Sequence, residues 1–134
     1  MQEHDLSNVL FVSGTACGGK TTTSEYLANK YNLPLLNWDD TFPAYQALAD
    51  PKYQPAMSKR PQFDSWEEYF MQPPAAFSNW IEQRVQEQLG MVIAQLIKMS
   101  GQYEGTKIIV DGDFHPVSRI CTNASWAFLT HKLL

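Results

Sequence analysis

The sequence predicts an α/β fold, a parallel β-sheet between layers of helices, three layers in all. Three observations carry this. A short strand-like stretch, Asn8 to Ser13, runs through a glycine-rich turn into a helix-forming stretch, Thr21 to Tyr31. A long segment with apolar residues at three- and four-residue steps is followed by the apolar run Lys107-Ile108-Ile109-Val110-Asp111. Strand and helix signals alternate, which is the signature of parallel strands joined by crossover helices.

Taken in order, the first unit is the strand–loop–helix of residues 8–31, with Asn32 as its helix stop. Leu33-Pro34-Leu35-Leu36-Asn37-Trp38 reads as a second strand, and Asp39-Asp40-Thr41-Phe42 as the loop after it. Residues 43–77 hold six of the eight prolines, at 43, 51, 55, 61, 73 and 74. They read as an irregular, substrate-binding insertion, apart from a short helix over 65–70 that opens on a Ser65–Glu68 capping box. Ser78 to Met99 is the clearest helix: Phe77, Ile81, Val85, Leu89, Val92, Ile93 and Leu96 form one apolar stripe, and Gly101 is expected to end it. Residues 107–111 and 126–130 read as two further strands.

The chain has 134 residues, room for a single domain over 1–134, and 44% of them are apolar, as in an ordinary globular core. A net charge of −4 does not suggest a nucleic-acid-binding surface. No apolar run reaches the roughly 18 residues that span a bilayer, so no membrane partner is expected. The polar, acidic start Met1-Gln2-Glu3-His4-Asp5 differs from a secretory or transit signal, and a cytoplasmic or nuclear location is expected. Cys17 and Cys121 are far apart and lack metal-ligand spacing, so both read as free thiols.

The chemistry begins with Gly14-Thr15-Ala16-Cys17-Gly18-Gly19-Lys20-Thr21, which fills every position of the phosphate-binding pattern G-x-x-x-x-G-K-[ST] in its proper strand–loop–helix setting. Glycines let successive backbone N–H groups converge without side-chain obstruction. The helix start adds unpaired donors and partial positive charge. Lys20 can reach the β- and γ-phosphates, and the Thr21 hydroxyl can ligate Mg²⁺. The expected nucleotide-binding residues are therefore Gly14 through Thr22, in a three-layer P-loop NTPase fold. ATP and Mg²⁺ are the expected cofactors.

Two acidic positions complete the reading. Ile108-Ile109-Val110-Asp111 has the form of a Walker B strand, apolar residues and then a carboxylate for Mg²⁺ or its water. The Asp39-Asp40 pair follows the second strand. A small-molecule kinase needs an acid near the acceptor hydroxyl to take its proton or to hold it in line. The lesser alternative is that the pair serves as a helix cap or turn. Gly14, Asp39 and Asp111 all follow strand ends, where ligands of parallel sheets bind. No guanine-reading N-K-x-D motif is present.

Several segments together resemble the nicotinamide riboside kinases and, more loosely, the uridine kinases. Ser13 to Thr22 looks like their loop. Asp39-Asp40-Thr41-Phe42 is similar to their D-D-F-F or D-D-F-Y segment, Gln62-Phe63-Asp64-Ser65-Trp66-Glu67 to their Q-[YW]-D-x-x-E segment, Val110-Asp111-Gly112 to their strand end, and Trp126 to Thr130 to their Y-F-L-T strand. The resemblance implies an ATP-dependent kinase for the 5′-hydroxyl of a ribonucleoside, nicotinamide riboside first. Lys20 and Asp39 would be catalytic, Asp39 as base or Mg²⁺-proximal acid. Thr21, Asp39 and Asp111 would serve the metal, with Asp111 in place of the family's Glu. Phe63 would stack on the planar base, and Asp64 would hold the ribose 2′- and 3′-hydroxyls.

Ten of the seventeen aromatic residues fall between 38 and 80, and aromatic walls suit a planar, partly cationic ligand. Most of these rings read as packing, with one or two touching substrate. Lys59 and Arg60 read as solvent-facing.

The family pattern continues past the Y-F-L-T strand with an Arg-rich lid and a last strand, where this chain reads His131-Lys132-Leu133-Leu134. Arg119 is the sole arginine after the Walker B strand. The expectation is a chain without lid or last strand, with catalysis less secure than nucleotide binding. Its uncovered sheet edge would favour a homodimer. The alternatives are a kinase for another nucleoside or small molecule, and a nucleotide-binding remnant without turnover.

Overall fold

A computed structural model of the chain describes residues 6–15, 17–59, 63–112 and 125–129. Its elements run β1 (Val9–Gly14), α1 (Lys20–Tyr31), β2 (Leu35–Asn37), α2 (Trp38–Leu48), α3 (Pro55–Lys59), α4 (Trp66–Phe70), α5 (Pro74–Gln102), β3 (Ile108–Asp111) and β4 (Ser125–Leu129). The chain is α/β. It forms two compact units, one of residues 1–41 with 94–134, the other of residues 42–93. No helix among the described residues is long and apolar enough to cross a membrane.

The first unit is built on a four-stranded sheet of order β2-β3-β1-β4. All three pairings are parallel: Val9–Val12 lie beside Ile108–Asp111, Leu35–Asn37 beside Ile109–Asp111, and Leu10–Gly14 beside Ser125–Leu129. The central strands are apolar on both faces, as buried parallel strands require. Leu10 and Val12 of β1, Leu35 of β2 and Ile109 of β3 pack with Leu27 and Ala28 of α1. Val9, Phe11, Ile108 and Val110 alternate onto the opposite face and are fully buried as well. At the amino end of the sheet, the Asn8 side chain donates to the Thr106 carbonyl (3.2 Å) and accepts from the Ser100 hydroxyl (2.7 Å).

Helix α1 ends as its sequence indicates. Asn32 adopts the left-handed conformation (φ 52°) and its N–H returns to the carbonyls of Ala28 and Asn29.

The expectation of irregular structure over 43–77 is corrected. Helices α2, α3, α4 and the first turn of α5 occupy most of it. Two of the prolines do not oppose these helices because of where they fall. Pro55 and Pro74 are the first residues of α3 and α5, where a missing N–H costs nothing and a fixed φ favours the helix. Pro43 lies inside α2 and deprives the Asp39 carbonyl of its usual partner. The Asp39-Asp40-Thr41-Phe42 segment is likewise not a loop: it belongs to α2 from its first turn on. Helix α5 extends beyond both expected ends, and Gly101 lies within it. The chain turns at Gly105, whose φ is 77°.

The second unit is centred on Tyr69. Five rings, those of Phe63, Trp66, Phe70, Phe77 and Trp80, approach it edge-on at centroid distances of 4.9–5.7 Å. Tyr69, Trp80 and Ala56 are buried together. Polar bonds fix the short helices to α5. The Glu87 carboxylate accepts the amides of Ala56 (3.2 Å) and Met57 (2.8 Å), and the Trp80 indole donates to the Ala56 carbonyl (2.7 Å). Ser65 caps α4 by accepting from the Glu68 amide (3.1 Å). Glu68 reaches back to the amide of Asp64 rather than to that of the cap residue.

Two substitutions should move stability in opposite directions. Tyr69→Ala removes the hub of the ring cluster and is expected to cost about 3–5 kcal/mol, the range for deleting a buried aromatic side chain. Gly90→Ala places a methyl group in open space inside α5 and should add roughly 0.5–1 kcal/mol from helix propensity. Urea unfolding followed by tryptophan fluorescence measures both.

Candidate functional site

The loop between β1 and α1 has a backbone that only certain residues tolerate. Gly14 (φ 145°), Cys17 (φ 58°) and Gly19 (φ 84°) all have positive φ. Cys17 is exposed and free, and as a non-glycine residue in the left-handed region it stores local strain. Gly19 is the N-cap of α1 and makes no side-chain cap bond. The amides of the first turn, those of Thr21 and Thr22 included, are thus left without a competing cap oxygen. Within the loop, the Gly18 amide donates to the Thr15 carbonyl (3.1 Å). The Lys20 ammonium folds back to the carbonyls of Gly14 (3.2 Å) and Thr15 (2.9 Å). The Lys20 charge therefore lies against the backbone of the loop that precedes the uncapped first turn of α1. Ala16 lies outside the described residues.

Strand order explains why this loop meets the acids. The chain leaving β1 crosses toward β2, whereas the chain leaving β3 crosses the other way, to β4. Neighbouring strands whose connections depart in opposite directions open a crevice at their carboxyl ends. Here those strands are β1 and β3. One carries the loop at its end, and the other ends in Asp111, in register with Val12 and tied to it by the Gly112 amide on the Val12 carbonyl (3.2 Å).

Asp111 is 3% exposed. A buried carboxylate needs donors or a cation. It receives the Asn37 carboxamide nitrogen on Oδ2 at 2.9 Å. Asn37 is also the residue before α2, and its Oδ1 accepts the amides of Asp39 (2.9 Å) and Asp40 (3.1 Å). Asp39 and Asp40 are exposed and sit in the first turn of that helix, where negative charge suits the helix dipole. Thr41 adds a hydroxyl bond to the carbonyls of Asn37 and Trp38 (3.0 Å each). Asn37 was not among the expected site residues. Its signal was present as a good N-cap residue two positions before an acidic pair, but its pairing with Asp111 depends on strand register.

The loop, Asp39 and Asp111 are thus gathered at the carboxyl edge of one sheet. Phe63 and Asp64 belong to the second unit. Phe63 is half-buried against the Ala56–Tyr69–Trp80 cluster, and the Lys59 ammonium lies 5.8 Å from its ring centroid. Lys59 also donates to Gln72 (3.3 Å), so it packs within this unit rather than facing solvent. Asp64 is exposed. In the same unit the Arg84 guanidinium lies 4.8 Å from the Phe42 ring and 5.6 Å from the Trp80 ring, and its buried Nε makes no hydrogen bond. Arg60, Gln62, Arg119, Cys121, Thr130 and His131 to Leu134 lie outside the described residues.

No protein-family model matches the chain, and no curated protein matches it significantly in sequence.

The loop backbone predicts a specific sensitivity. A Cβ at Gly19 would meet nothing within 4 Å, yet its φ is left-handed. Gly19→Ala should therefore cost about 1–2 kcal/mol through conformation alone. The same substitution at Gly90 has the opposite sign, and the two midpoints measured side by side check the difference.

Proposed function

We propose that the chain is a small-molecule kinase with a P-loop NTPase fold, transferring the γ-phosphoryl group of ATP to a hydroxyl. One observation carries the reading: the positive-φ loop with Lys20 folded over it and the buried Asp111 stand at the ends of adjacent parallel strands. Loop amides and Lys20 would hold the β- and γ-phosphates, as charge-assisted donors do best. When bound, Mg²⁺ would neutralise developing charge on the phosphates. Mg²⁺ usually takes one or two protein oxygens and keeps its waters, so the exposed Thr21 hydroxyl and the Asp111 carboxylate fit that demand.

In the transfer, the acceptor oxygen forms a bond to the γ-phosphorus and the bond to the β–γ bridging oxygen breaks, releasing ADP. The acceptor's proton would pass to Asp39, whose exposed carboxylate lies in the first turn of α2, two residues past the end of β2. Catalysis in such a site is chiefly positioning and electrostatics. Nicotinamide riboside is the favoured acceptor, from the resemblance of the Asp39–Phe42 and Gln62–Glu67 segments to the nicotinamide riboside kinases. Phe63 would then contribute a ring face, and Asp64 a carboxylate able to accept two hydroxyl bonds from a vicinal diol.

Arg84 favours a second reading, a related kinase for a different acceptor. A guanidinium within 4.8 Å of one ring centroid and 5.6 Å of another in the second unit would suit an acceptor bearing an acid group better than a cationic one.

Two measurements test the proposal. ADP release with ATP, Mg²⁺ and a panel of nucleosides and acidic small molecules identifies the acceptor. Lys20→Ala is expected to lower kcat/KM on the order of 10²-fold or more, and Asp39→Ala to lower kcat by about 10²-fold or more. In the second, alkylation of Cys17, followed by peptide mass, should slow several-fold when MgATP is added. Equal rates with and without MgATP, together with no turnover on any acceptor, would sink the reading.

A further inference from the structure

We propose that Asn37 is the positioning residue of the metal and phosphate site, fixing the Asp111 carboxylate and the start of α2 with a single carboxamide. The inference rests on the kinase reading above and adds a residue to it.

The geometry permits one assignment of the amide. Two backbone N–H groups, those of Asp39 and Asp40, converge on one end of the Asn37 side chain at 2.9 and 3.1 Å. That end must be the oxygen, since an NH₂ group cannot accept them. The NH₂ group is then directed to Asp111 Oδ2 at 2.9 Å. Strand register makes this reach possible. Asn37 and Asp111 are partners across parallel strands, spaced about 4.8 Å apart, so their side chains rise on the same face.

The residue type is constrained from both sides. Aspartate would cap α2 equally well but would set a second carboxylate against Asp111. Serine would cap α2 as well but is too short to reach the neighbouring strand. Only a side chain with an acceptor and a donor on one short, planar group serves both ends. Through it, the acid of β3 and the acid of α2 are held in a fixed relation: the carboxylate of Asp111 by its rotamer, and Asp39 by the position of the helix turn that carries it. Partners that orient a ligating carboxylate typically change metal affinity by 10–100-fold when lost.

Asn37→Ser keeps the cap and removes the donor. The expected result is an unfolding midpoint within a few degrees of the parent chain, with the Mg²⁺ concentration for half-maximal ATP binding raised about tenfold or more. Thr41→Val is the control. It loosens the same helix start by deleting the hydroxyl bonds to Asn37 and Trp38 without touching Asp111, and should lower the midpoint while leaving the Mg²⁺ dependence within about twofold of the parent. A Mg²⁺ dependence unchanged in folded Asn37→Ser overturns the inference and leaves Asn37 as a cap alone. So does an equal shift in Thr41→Val, since helix loosening would then explain the effect. If the parent chain takes up no ATP at any Mg²⁺ concentration, calorimetry shows it before any variant is made; the kinase reading fails first, and the positioning role with it.

Discussion

The parallel register of β1, β3 and β2 at their carboxyl ends is the constraint on which the candidate site depends. Val12 is opposite Asp111, and Asp111 is opposite Asn37. In a sheet with a two-residue side-chain period, a slip of one residue would turn Asp111 to the other face and break its bond to Asn37. The register is held by burial on both faces. Val9, Phe11, Val12, Ile108, Ile109 and Val110 are all at most 1% exposed, so a slip would also drive an acid into apolar surroundings. Folding and site assembly are therefore one event. The same contacts that build the core align the loop, the cap residue and the buried carboxylate.

The second unit answers to a different constraint. Its helices are short, and a helix of five residues is unstable by itself. Helix α3 persists because Glu87 and Trp80, about two turns apart on α5, bind its amides and a carbonyl. Helix α4 persists because its Ser65 cap and the Tyr69 ring cluster act together. Aromatic enrichment between 38 and 80 is thus largely a packing device. Tyr69 and Trp80 are buried, while Trp66 and Phe70 stack on one another at the surface with centroids 5.9 Å apart. These bonds and ring contacts hold Phe63, Tyr69 and Trp80 in one packed cluster.

Much of this was legible in the sequence where chemistry is local. The glycine-rich loop, the Asn32 helix stop, the Ser65 cap and the apolar strand ending in Asp111 each depend on a few consecutive residues, and each is found at its expected position. The errors arose where position within an element mattered more than residue type. Pro55 and Pro74 read as breakers but start helices, and the acids 39 and 40 read as loop residues but fill a helix's first turn. Asn37 was missed for a third reason. Its capping role is local, but its bond to Asp111 spans 74 positions in the chain and exists only once β2 and β3 are paired.

Burial also separates the two acids that looked alike in sequence. Asp111 is nearly closed off from water, so its charge must be met by donors in place before any ligand arrives, and Asn37 supplies one. Such a carboxylate is held in one orientation by its partner, and in the proposed kinase it would meet a divalent ion with little reorganisation. Asp39 stands exposed at a helix start, where its backbone amide rather than its carboxylate is engaged by the cap. In the proposed kinase its oxygens would be the ones to meet an incoming hydroxyl. A phosphoryl-transfer site needs both kinds of acid, one that holds charge still and one that exchanges a proton. One carboxamide between them can serve both because the cap it makes to α2 and the bond it makes to β3 use opposite ends of the same planar group.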